Sequence, residues 1–143
     1  MSYRPEITEE SVLRRWMILE IGRINAGLVT ERKSLARLLG EERPSATAKD
    51  GSDYRFDPAV IRDIGERLPA DLHERLLLPI IFRFSPDVRD SYYLTDAVAV
   101  RALQSLGELS EQRKMRDGRL WVSNAIVFAM VRAYPTAIQI GMG

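Results

Sequence analysis

The chain contains no cysteine. That absence excludes disulfides, thiolate nucleophiles, zinc ribbons and cysteine-ligated iron–sulfur clusters together. Histidine is almost as scarce: His73 is the only one, so no multi-histidine metal site can form within a single chain. Long apolar runs are missing too. The longest, Ala125 to Val131, falls far short of the roughly 20 residues that span a bilayer. The start, from Met1 to Glu6, lacks the charged-then-apolar order of a signal peptide. A soluble, cytoplasmic protein with no membrane association is expected. Net charge is also small: 21 basic against 20 acidic side chains leave a formal +1. No global field therefore draws the chain to nucleic acid or an anionic surface, and any such binding needs a local patch.

Catalytic motifs are absent as well. A Ser or Thr nucleophile would depend on His73 as its base, yet the chain has no nucleophile elbow to partner it. His73 lies in the polar stretch Asp71 to Arg75 and reads as a surface or helix-end residue. The nine glycines stand mostly alone, forming neither a phosphate-binding loop nor a dinucleotide fingerprint. Two carboxylate pairs, Asp50 with Asp53 and Asp87 with Asp90, could in principle hold Mg²⁺. Both fall in turn-like segments, where Asp is favoured because it bonds the nearby backbone. No catalytic residue, metal ligand or cofactor is assigned, and the chain leans away from being an enzyme.

What is present suffices for a fold. At 143 residues, with 45% apolar side chains, residues 1–143 make one domain that buries roughly two-thirds of its unfolded surface. The expected class is α+β: helices packed on a small, mostly antiparallel sheet that includes a β-hairpin around Asp50-Gly51. A first helix runs from about Glu9 to Ala26, capped by Thr8, and its apolar residues cover more than half its circumference. A helix so apolar, carrying Trp16, either sits deep in the fold or meets a second copy. Thr30 or Ser34 opens a short helix to Leu39, with Leu35, Leu38 and Leu39 inward and Gly40 as its stop.

Alternation fixes the hairpin loop. A three-residue loop, Lys49 to Gly51, pairs Ala48 with Ser52 and Ala46 with Tyr54. It collects Ala46, Ala48, Tyr54 and Phe56 on one face; a two-residue loop mixes the faces. Asp57-Pro58 then opens a helix through Arg67, buried along Val60, Ile61, Ile64 and Leu68. Asp71 to Leu76 adds a further turn, Pro79 to Phe84 and Ser91 to Leu94 are strands, and Thr95-Asp96 starts a helix through Leu106. Glu108 to Gly118 reads as an exposed polar connection, Ser123 caps a helix from Asn124 to Tyr134, and Thr136 to Ile140 closes as a strand.

Several stretches, in order, resemble the uncharacterised archaeal proteins grouped as domain of unknown function 61. They are Arg23 to Asn25, Thr30 to Gly40, Arg43-Pro44, Asp50-Gly51, Leu78 to Ile80 and Pro135 to Ile140. The resemblance implies an archaeal, intracellular, single-domain protein and brings no catalytic residue. Family members tend to carry a His and a Leu-Pro step where this chain has Ala26 to Val29.

The remaining signal is cationic. Of the 21 basic residues 18 are Arg, and two groups stand out: Arg32, Lys33 and Arg37; and Arg113, Lys114, Arg116 and Arg119 before Trp121. Spacing puts Lys33 and Arg37 on one helix face. The second group sits within residues 101–143, which hold six basic and three acidic side chains. Guanidinium forks suit phosphates, and an indole suits stacking on a base. The plainer account is a solvated loop and an ion-paired helix, since Glu31, Glu41 and Glu42 lie nearby. The leading expectation is a non-catalytic module that binds RNA or a ribonucleoprotein. The alternative is a protein–protein module, a homo-oligomer through the first helix.

Overall fold

A computed structural model describes residues 28–85, 87–88, 91–107, 115–116 and 118–142. The expected first helix, with Trp16 and the interface built on it, lies outside these residues.

Ser34 caps the first short helix with its hydroxyl, accepting from the Arg37 N–H. The chain enters it from β1 (Lys33–Ser34), and α1 spans Leu35–Leu39. Leu35 and Leu38 are fully buried, but Leu39 is 36% exposed, resting on Gly65 where a side chain would crowd it. Lys33 is therefore a strand residue, and the helix face shared by Lys33 and Arg37 does not exist.

Strands β2 (Ser45–Thr47) and β3 (Asp53–Arg55) form the hairpin. Their register pairs Ala46 with Tyr54, and the Ala48 N–H donates to the Ser52 carbonyl. The loop has three residues. Gly51 closes it at φ +86°, a left-handed conformation that costs an L side chain strain. Ala46 and Phe56 are buried and Tyr54 is half-buried, whereas Thr47, Asp53 and Arg55 are exposed, so amphipathic alternation did select the register. The hairpin is held to the main body by the Tyr54 hydroxyl, which donates to the Thr136 carbonyl at 3.3 Å. Burial raises the pKa of that hydroxyl.

Asp57 caps α2 (Pro58–Arg67) through the Ala59 N–H, with proline at the first helical position. Ile61 and Ile64 are buried, Leu68 follows them inward, and Val60 is half-buried. A single turn, α3 (Ala70–His73), leads to a strand the sequence reading missed: β4 (Leu77–Leu78), which pairs with β1. At two residues it is too short to show alternation.

The main sheet has five strands in the order β7-β8-β6-β5-β9. They are β5 (Ile80–Phe84), β6 (Ser91–Leu94), β7 (Met115–Arg116), β8 (Arg119–Ser123) and β9 (Ile138–Met142). Every pairing is antiparallel except β5 with β9. Two helices make the crossovers: α4 (Ala97–Ser105) follows β6, and α5 (Asn124–Ala133) joins β8 to β9. The first runs leftward from a descending strand and the second rightward from an ascending one. Right-handed crossovers then place both helices on the same face. There Ala99, Ala102 and Leu103 of α4 and Val127 and Met130 of α5 share one buried cluster with Phe82, Tyr92, Leu94, Leu120, Val122 and Ile140.

Asp96 caps α4 through the Val98 and Ala99 N–H groups, as expected. Ser123 occupies the capping position of α5 but makes no side-chain cap bond. The exposed connection expected over Glu108 to Gly118 is corrected at its end: Met115 and Arg116 form β7, and Gly118 turns the chain into β8 at φ +71°. Among the described residues no helix is long and apolar enough to cross a membrane.

Candidate nucleic-acid interface

Strand alternation sends every second side chain of the main sheet away from the helices. On β8 these are Arg119, Trp121 and Ser123; on β6, Ser91 and Tyr93; on β5, Ile81 and Arg83. The register sets them in a row, with Arg83 opposite Tyr93 and Tyr93 opposite Trp121. Cross-strand partners of this kind touch. The Tyr93 and Trp121 ring centroids are 5.3 Å apart, tilted at 49°, and Arg119 lays its guanidinium 4.5 Å from the Tyr93 centroid. Arg83 crosses the neighbouring strand at Gly141, where a Cβ would stand 2.7 Å from its Nη1. Glycine there gives the guanidinium room to lie flat along the sheet. Both arginines are exposed and both aromatic rings are half-buried.

The residues named from the sequence divide between this face and elsewhere. Trp121 and Arg119 sit at its centre, and Arg116 is paired opposite Arg119. Arg113 and Lys114 lie outside the described residues. Arg32 stands close enough to Arg83 for the two charges to repel. Its own guanidinium is engaged: Nε donates to the Pro79 carbonyl and Nη2 to the Leu77 carbonyl, both at 3.1 Å, with Asp96 at 3.6 Å. Burial lowers its pKa, against the pull of Asp96. Arg32 thus ties β4 to the cap of α4.

Lys33 and Arg37 leave the site altogether. The Lys33 ammonium donates to both Glu41 oxygens, at 2.9 and 3.2 Å, and Arg37 lies 3.8 Å from the same carboxylate. Burial would raise the Glu41 pKa, but the Lys33 ammonium and the Ser45 N–H outweigh it and hold the carboxyl below its ordinary range. The nearby carboxylate noted in the sequence thus does pair with both cations. Among the described residues, neither Arg83 nor Arg119 has a carboxylate within ion-pair distance.

Sequence reasoning missed Tyr93 and Arg83. Both strands were legible, and alternation alone would have separated Tyr93 from Tyr92. What was hidden was β8, which supplies the neighbour that makes Tyr93 part of a cluster.

The other candidates play local roles. Asp50 accepts from the Ser52 hydroxyl and N–H, which together hold its pKa down; it organises the hairpin turn. Asp53 is exposed in β3 and Asp87 is exposed, while Asp90 lies outside the described residues. His73 ends α3 with its Nε2 2.9 Å from the Gly65 carbonyl and 3.3 Å from that of Leu68, joining it to the end of α2. Among the described residues, an open cavity of about 430 Å³ beside the hairpin is lined by Leu28, Ala48, Asp50, Asp53 and Tyr54 and has no cation besides Lys49. Among the described residues no cluster of three acidic or histidine groups assembles.

The family model for the protein of unknown function DUF61 matches residues 14–142. The chain belongs to this family. A UPF0216 protein of Methanopyrus kandleri is 33% identical over 131 residues, covering 92% of this chain and 86% of its own length. Another from Pyrococcus furiosus is 31% identical over 118 residues, covering 82% and 86%. The solution structure of an archaeal DUF61 family protein, SSO0941, superposes with a TM-score of 0.65 at 15% identity, over 85% of this chain and 78% of that one. That likeness extends the fold across the family and carries no activity with it.

Proposed function

We propose that this DUF61 protein is a non-catalytic cytoplasmic module that binds RNA through the outer face of its five-stranded sheet. One observation carries the reading: Arg119, Tyr93 and Trp121 form a contiguous cation–aromatic cluster on the sheet face turned away from the helices, with Arg119 exposed and Arg83 opposite Tyr93 in register. Five other basic side chains, Arg32, Lys33, Arg37, Arg67 and Arg101, face carboxylates of the described fold. The two arginines of the sheet face do not, so their charge is available to a phosphate backbone. Two sequence-distant basic residues, Arg83 and Arg119, share this face from the two strands that flank β6, although net charge is nearly zero. This is the local patch that composition left as the only route to such a ligand.

Fluorescence anisotropy with a labelled single-stranded RNA tests this. Affinity is expected to fall steadily between about 50 and 200 mM salt. Arg83→Gln and Arg119→Gln should each weaken binding and flatten the salt dependence by roughly 0.7 in log–log slope. Arg55→Gln, on the exposed face of the hairpin, should change neither. Protein that ignores RNA and passes through heparin at low salt would overturn the reading.

A further inference from the structure

The cluster also specifies the form of nucleic acid it takes; this step rests on the RNA-binding reading above. Arg119 lies over one face of the Tyr93 ring at 4.5 Å, and Trp121 tilts against that ring at 5.3 Å. The exposed member of the cluster is the Arg119 guanidinium, backed by the Tyr93 ring that Trp121 braces from the side. The arrangement is built in by the sheet. Arg119 and Trp121 are two residues apart on β8, and Tyr93 is locked opposite Trp121 by the β6–β8 register. No rotamer search is needed to assemble it, so little entropy is lost when a flat group lands on it.

A guanidinium plane and an indole both offer a base something to stack on. In a duplex each base already has neighbours on both faces, so such a surface gains nothing there except at an end. A single strand can splay a base onto it while its phosphates run across β5 toward the Arg83 guanidinium at Gly141. We infer that the Tyr93–Arg119–Trp121 cluster is a stacking platform for an unpaired base, making single-stranded RNA the substrate class. Charge alone would not discriminate in this way: phosphate contacts are shared by single and double strands.

Lysine at position 119 separates stacking from charge, because it keeps the cation and loses the planar fork. Binding of one labelled single strand is measured for wild type, Arg119→Lys and Arg83→Lys, with unlabelled single strand and blunt duplex of equal length as competitors. The platform predicts that the single strand competes at least about tenfold better than the duplex. It also predicts that Arg119→Lys binds roughly tenfold more weakly with an unchanged salt slope, while Arg83→Lys stays near wild type. Equal competition by duplex, or Arg119→Lys binding as wild type does, overturns the platform and leaves RNA binding standing. Absence of binding to either competitor overturns both readings at once. Arg119 is exposed, so the lysine variant keeps its fold, and the wild-type competition needs no variant at all.

Discussion

Replacing Asp96 separates two roles that its carboxylate performs at one point in the fold. One oxygen accepts from the Val98 and Ala99 N–H groups at 2.9 and 3.3 Å, capping α4; the other stands 3.6 Å from Arg32 Nη2. Asp96→Ala removes both. Loss of the cap costs about 1 kcal/mol, in a range of roughly 0.5–2. The ion pair is about one-third exposed on each side, where such pairs contribute roughly 0–1 kcal/mol. The sum is about 1–2 kcal/mol, or roughly 3–8 °C in Tm for a chain of this size. Asp96→Asn keeps a capping oxygen and loses the charge, so it should cost no more than about 1 kcal/mol. Urea unfolding followed by circular dichroism reads both. If the asparagine variant is as unstable as the alanine variant, the cap is not what Asp96 supplies, and the account of α4's start is wrong.

Further predictions concern the hairpin, the acid limb and the sheet face. Gly51→Ala should cost about 1 kcal/mol in thermal unfolding, and Gly51→Asn less, because asparagine tolerates left-handed backbone better. Glu41 and Glu31 both have carboxyls held below the ordinary value, Glu31 chiefly by the Thr47 N–H. A lowered folded-state pKa adds stability above the unfolded value near 4.5 that is lost as pH falls through the folded one. Stability measured down from about pH 5 should therefore decline. Glu41→Gln should be less stable than wild type at neutral pH and show a shallower decline; an identical acid limb would refute the assignment. Gly141→Ala should leave Tm unchanged or slightly higher, since alanine is less free in the unfolded chain. It should nevertheless weaken RNA binding as Arg83→Gln does, because the new Cβ displaces the Arg83 guanidinium. A large drop in Tm would show that Arg83 cannot move aside.

Much of the fold was legible because its signals are local. Asp57-Pro58 and Thr95-Asp96 announce helix starts within two residues, and the hairpin register follows from alternation on either side of a glycine. The elements that escaped are those without punctuation. Strand β8 runs straight from Ser123 into Asn124 with no turn between, so its alternating Arg119 to Ser123 pattern hides in front of a helix. Strand β4 is two residues long and exists only because β1 pairs with it. The same distinction governs the site. Arg119 and Trp121 are sequence neighbours and could be named from the chain alone, whereas Tyr93 joins them through the long-range β6–β8 register and Arg83 follows through its pairing with Tyr93. Lys33 and Arg37 show the converse. Their spacing suggested a shared face, but Glu41 claims both.

An NMR titration of isotopically labelled protein with a short single-stranded RNA addresses the sheet face most directly. Amide shifts should concentrate on residues 81–83, 91–93, 119–123 and 139–141, with the 45–55 hairpin unmoved. Perturbations centred on the hairpin or on Leu35–Leu39, with Tyr93 and Trp121 silent, would contradict the assignment of the interface to the sheet.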